Sequence, residues 1–168
     1  MFKLDPIINM NEEERLKYMQ ILLQGQLSSE KDSLANISNA TAIINACIDK
    51  INWAGFYFLK DDELVLGPFQ GLPACNRIAI GKGVCGTAVA TRQVQLVADV
   101  HKFPGHIACD SASNSEVVIP IIKDDKVVGV LDLDSPEFNR FGQIHVDALV
   151  KLVDKLNEYI DWLKILES

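Results

Sequence analysis

Cys75, Cys85 and Cys109 stand in frames rich in glycine or polar residues, and three carboxylates, Glu116, Asp132 and Asp134, follow them. A thiol inside a strand or helix core behaves as a small hydrophobe. A thiol in a loop beside acids and a second thiol can instead pass through thiolate, sulfenic acid and disulfide. Cys75 follows Gly71-Leu72-Pro73-Ala74, a turn-forming stretch, and is expected to be mobile and accessible. Cys85 lies in Gly81-Lys82-Gly83-Val84-Cys85-Gly86, at the start of an expected short helix. The positive end of a helix lowers a thiol pKa, but the same frame suits a cysteine packed between two close backbones. Cys109 falls in the stretch from His101 to Asn114, a long irregular loop of the kind that compact domains keep for function. Cys47, beside Ile44 and Ile48, is read as core.

Two other chemistries compete for these residues. His101, His106 and Cys109 are three metal-ligand types in one loop, yet their spacing matches no zinc pattern, and the gaps from Cys75 to Cys85 and Cys109 are far from C-x-x-C. No metal site is therefore expected. Acyl transfer at Cys109 with His106 or His101 as base would also need an oxyanion-hole signature, and none accompanies them.

The elements that must position these residues follow from periodicity. Asn11 before Glu12-Glu13-Glu14 reads as an N-cap with acids at the positive helix end, and Leu16, Met19, Leu22 and Leu23 continue at helical spacing. Gly25 to Ser29 is expected to break that helix. A second, from about Asp32 to Asp49, carries Leu34, Ile37, Ala40, Ile44 and Ile48. From Asn52 the period becomes two. Strands are expected at Asn52 to Leu59, Glu63 to Gln70, Asn76 to Ile80, Val94 to Val97, Glu116 to Ile122 and Val127 to Asp134. Lys60-Asp61-Asp62 and Lys123-Asp124-Asp125-Lys126 read as hairpin turns. A short helix is expected from Val84 to Thr91 and a long amphipathic one from about Gln143 to Leu166, with Leu149, Leu152, Val153, Leu156, Ile160 and Leu163 on its stripe. The whole predicts one α+β domain over 1–168, an antiparallel sheet with helices packed on one face.

Strand parity decides which side chains can meet. Trp53, Gly55 and Tyr57 share one face of the first strand, and Ala54, Phe56 and Phe58 the other. Gly55 between large aromatics leaves a notch of the kind a ligand approaching the backbone would need. Trp53 and Tyr57 fit a core role equally well. Asp132 and Asp134 share a face opposite Leu131 and Leu133, and Ser135-Pro136 follows at once, so the pair ends its strand near loops.

Bulk properties exclude several classes. The 168 residues, 48% of them apolar, support one core. A net charge of −7 argues against binding nucleic acid. No apolar run reaches membrane-spanning length, and the start has no secretory h-region. A cytoplasmic location is expected, where cysteine pairs tend to be catalytic or metal-binding. The terminal helix and Trp162 would suit a homodimer or an intramolecular core.

Taken in order, the stretches 52–57, 67–71 with Cys75, 81–88, 97–100, 103–110, 115–116 and 129–136 resemble the free methionine-(R)-sulfoxide reductases, a family with a GAF-type fold. The resemblance implies an α+β sheet with helices on one side and a ligand pocket under loops on the other. It implies reduction of free rather than protein-bound methionine-(R)-sulfoxide, with no cofactor and with thioredoxin as external reductant. Cys109 matches the catalytic cysteine, Cys75 the resolving one, and Cys85 a third cysteine of variable role. Glu116, Asp132 and Asp134 match pocket carboxylates, and Trp53 and Tyr57 the aromatic wall around the substrate methyl group. The alternative is a GAF-type module that binds a small molecule without chemistry.

Overall fold

The computed structural model describes residues 3–106 and 111–168; Cys109 lies outside them. Helix α1 (Glu12–Ser29) starts with a reciprocal cap. Asn11 Oδ1 accepts from the Glu14 amide at 2.9 Å, and Glu14 Oε2 accepts from the Asn11 amide at 2.8 Å. Contrary to the expected break, α1 runs through Gly25 to Ser29. Gln26 and Leu27 keep its inward stripe buried, and Gln26 donates to Asn36 Oδ1 on the next helix, which offsets the roughly 1 kcal/mol cost of one helical glycine. Helix α2 (Ser33–Cys47) is capped by Asp32, whose Oδ1 accepts from the Ala35 amide. Ile37, Ala40, Ile44 and Cys47 face inward, but Leu34 in its first turn is exposed.

Six strands follow: β1 (Trp53–Lys60), β2 (Glu63–Gly71), β3 (Arg77–Ala79), β4 (Gln95–Val97), β5 (Ser115–Lys123) and β6 (Lys126–Ser135). They form one antiparallel sheet in the order β3-β2-β1-β6-β5-β4. Both expected hairpin turns exist, with positive φ at Asp61, Asp62, Asp124 and Asp125. Two successive left-handed residues match the right-handed strand twist, and aspartate tolerates that conformation.

Alternation along the strands makes two cores. Ala54, Phe56, Phe58, Val117, Ile119, Leu131 and Leu133 pack against α1, α2, α4 (Gln143–Tyr159) and α5 (Trp162–Glu167). Trp53, Tyr57, Val118 and Val130 point to the other face, where α3 (Gly83–Thr91) covers them with Val84, Cys85 and Ala88. The long helices thus share one face, and a single short helix lies opposite. The expected continuous C-terminal helix is two. Asp161 caps a restart, and Trp162 turns into the core, packing near Phe58 and donating from Nε1 to Asn157 Oδ1 at 2.9 Å. The restart leaves Leu163, expected on the apolar stripe, exposed.

Candidate active site

Register on the α3 face builds the site row by row. Asp134 on β6 pairs with Trp53 on β1 and with Glu116 on β5. In the row beside it, Asp132 lies between Gly55 and Val118. The three acids therefore cluster across two strands. A pocket of about 500 Å3, counting space open to solvent, lies over them. Trp53, Tyr57, Cys85, Glu116, Asp132 and Asp134 all line it, six of the residues singled out from sequence.

The aromatic wall is stacked: Trp53 lies 5.9 Å from Tyr57 and 5.3 Å from Phe69, centroid to centroid. The notch at Gly55 has a different use from the one expected. A Cβ there would meet the Trp53 ring at 2.6 Å, and also Phe69, so the glycine admits the indole rather than a ligand. Trp53 Nε1 donates to the Leu72 carbonyl, and the Tyr57 hydroxyl donates to the Cys75 carbonyl at 2.9 Å. These bonds tie the 72–75 turn to the sheet. Cys75 is consequently half-buried rather than loosely displayed, and it is disulfide-bonded.

Cys85 is a free thiol, 4% exposed, with Sγ 4.0 Å from Glu116 Oε1. Its position in the first turn of α3 does not make it a thiolate. Burial pushes its pKa well up, and the charges of Asp132 and Glu116 push in the same direction. Glu116 is likewise raised well above the carboxylate range, by burial first and then by Asp132 and Asp134. Burial lifts Asp132 from 3.8 to about 6, while hydrogen bonds from Glu116 and Cys85 restrain the rise. The resulting state is a neutral Glu116 that donates to an Asp132 carboxylate, because two buried acids in contact do not both ionise. Asp132 Oδ1 is buried and has no hydrogen-bond partner among the described residues. Asp132 lines the pocket, so this oxygen is an unused acceptor at its floor.

Sequence reasoning missed Ser113 and Lys82, which also line the pocket. Ser113 is buried, and its Oγ accepts from Asn52 Nδ2 at 3.1 Å. A serine in a polar loop carries no signal for this; the contact spans 61 positions. His106, considered above as a ligand or base, lines the pocket with its pKa lowered by burial and by His101. His101 does not line the pocket; its Nε2 pairs with Asn114 Oδ1 at 2.9 Å. Cys109 falls outside the described residues, so its expected place beside this pocket is not part of this geometry.

Residues 40–161 of the chain match the GAF domain family model. The chain belongs to the GAF domain family. Protein YtsP of Bacillus subtilis is 53% identical over 138 residues, 81% of this chain and 85% of that protein. The free methionine-R-sulfoxide reductase of Escherichia coli is 52% identical, covering 80% of this chain and 81% of its own. Among solved structures, the free methionine-R-sulfoxide reductase of Neisseria meningitidis in complex with its substrate superimposes with a TM-score of 0.87 at 35% identity, over 91% of this chain and 92% of that one.

Proposed function

We propose that this protein reduces free L-methionine-(R)-sulfoxide to L-methionine. The observation that carries the reading is the buried pair of Glu116 and Asp132, one protonated and one with an unused oxygen, under the wall of Trp53 and Tyr57. The named activity of the Escherichia coli relative supports the same reading. The Cys109 thiolate attacks the sulfoxide sulfur as the sulfoxide oxygen takes a proton, giving a hydroxyl-bearing adduct joined to Cys109 through an S–S bond. Glu116 is the proton donor, since burial and the neighbouring acids raise its pKa well above the carboxylate range and favour its protonated form. The carboxylates of Asp132 and Asp134 hold the substrate ammonium, a group that a methionine within a chain lacks. The S–S and S–O bonds of the adduct then break, the hydroxyl passes to the Cys109 sulfur as a sulfenic acid, and methionine leaves. The Cys75 thiol then condenses with it, forming a disulfide and water. Thioredoxin, as external dithiol, re-reduces the disulfide by exchange. That Cys75 is disulfide-bonded supports the resolving role. Cys85, buried and held as a thiol, is left out of the main cycle.

The test is NADPH oxidation coupled through thioredoxin, with free methionine-(R)-sulfoxide as substrate and the (S)-epimer as control. Oxidation with the (R)-epimer alone is expected. Binding of the sulfoxide without any (R)-dependent oxidation would mark a small-molecule binding module instead. Cys109→Ser should release no methionine. Cys75→Ser should release about one methionine per chain and then stall. A Cys75→Ser variant that turns over at the wild-type steady-state rate with thioredoxin as sole reductant would overturn the assignment.

A further inference from the structure

The pocket floor brings together a thiol and two carboxylates in an arrangement that reaches beyond amino-acid binding. Sγ of Cys85 and one carboxylate oxygen each from Glu116 and Asp132 all lie within 4.8 Å of one another, and all three residues are buried. The unpartnered Oδ1 of Asp132 is a second, independent sign of a missing ligand there. We propose that this triad is a binding site for a thiophilic divalent cation such as Zn2+, which would compete with the substrate for the pocket.

The Cys85–Glu116 edge of the triad is already close to the spacing an ion would impose. Zn–S and Zn–O bonds of about 2.3 and 2.1 Å set ligand atoms about 3.6 Å apart around a tetrahedral ion. Cys85 Sγ and Glu116 Oε1, now 4.0 Å apart, need close by only a few tenths of an ångström. The donor set is one soft sulfur and two hard oxygens, which suits zinc or cadmium and not magnesium or calcium, ions that prefer oxygen alone. Three protein ligands leave a fourth position toward the pocket mouth for water, as in open zinc sites. Binding displaces the protons of the thiol and of one carboxylic acid and changes no oxidation state. A bound dication also supplies the positive charge that the clustered acids otherwise lack. Cys85, which the thiol cycle does not use, gains a role here as the anchor of an inhibitory ion.

The experiment uses the full chain carrying Cys75→Ser and Cys109→Ser, which leaves Cys47 and Cys85 as its only thiols. Titration with cadmium chloride should give one ion per chain and an ultraviolet thiolate-to-cadmium charge-transfer band. Adding Cys85→Ala should abolish the band; adding Cys47→Ala should not. Asp132→Asn or Glu116→Gln, with circular dichroism as the folding control, should weaken zinc binding at least ten-fold in calorimetry, since even an outer-shell partner is worth about 10–100-fold. A band that survives Cys85→Ala, or no stoichiometric ion in a folded chain, would overturn the proposal. Competition rests on the substrate reading above and is tested separately: methionine-(R)-sulfoxide should raise the apparent zinc Kd. Metal binding that the sulfoxide leaves undisturbed would uphold the ion site and overturn the placement of the substrate.

Discussion

Glu116 and Asp132 show how position changes the proton affinity of ordinary carboxyl groups. Both residues are 6% exposed; burial raises both pKa values, the charge of Asp132 raises Glu116 further, and the hydrogen bond from Glu116 holds Asp132 down. A carboxyl group whose folded pKa is raised retains protons that the unfolded chain has already lost. Its contribution therefore favours the folded state at low pH and is lost as pH rises. The unfolding free energy contributed by this pair should fall from the ordinary carboxylate range through about 6 for Asp132, then further as Glu116 ionises. Glu116→Gln should flatten the upper part of that fall in urea titrations at a series of pH values. The same variant should lose about 10²–10⁴-fold in kcat, the usual worth of a positioned general acid. An unchanged rate of methionine release would move the proton donor to another residue.

At the scale of elements, α3 is what closes the pocket, and its seat is set by contact of backbones. Gly86 N donates to the Lys82 carbonyl, and the Gly86 carbonyl accepts from the Gly81 amide at 2.8 Å. A Cβ on Gly86 would collide with the Ala79 carbonyl oxygen, which is backbone and cannot swing aside. Gly86→Ala should therefore push α3 away from the β3 end, displacing Cys85 from Glu116. We expect a loss of stability of about 1–3 kcal/mol, the range for overpacking. The KM for the sulfoxide should rise as well. Chemical denaturation and steady-state kinetics read the two effects, and wild-type values in both would show that α3 is seated by side chains alone.

Across the whole molecule, Arg140 ties three segments far apart in sequence. Its guanidinium meets Glu12 at the start of α1, Asp49 after α2, and the ring of His145 in the first turn of α4. The side chain is 7% exposed, whereas Glu12 and Asp49 remain half in water. Arg140→Ala should cost about 1–3 kcal/mol, less than the 3–5 typical of breaking a fully buried pair. Burial tends to raise the Glu12 pKa, but hydrogen bonds from His145 and Arg140 outweigh it and hold the carboxyl below its usual range. A lowered acid gives stability that is present above the unfolded pKa and lost as pH falls through the folded one. The gap between wild type and Arg140→Ala should accordingly narrow in acid, as measured by urea unfolding at pH 7 and pH 3. A gap independent of pH would assign the loss to packing of the arginine stem.

Local pattern settled much of this protein before any tertiary contact. Alternation grouped Trp53 with Tyr57 within β1 and Asp132 with Asp134 within β6, because a strand's side-chain period is two; only the pairing of β1 with β6 put the two groups on one face. The cap at Asn11 and the paired aspartates of the hairpins were equally legible, since each acts within a few residues. Tertiary structure decided what depends on distant neighbours. Gly25 stays helical because Gln26 finds Asn36, and the last helix restarts because Trp162 finds the core. The charge states of Cys85 and Glu116 were decided there too. From sequence Cys85 suited either a thiol activated by a helix start or a packed cysteine; burial against acids 31 and 47 positions away favours the thiol. Sequence named the titratable groups; only packing brought them close enough, and dry enough, to change one another's protons.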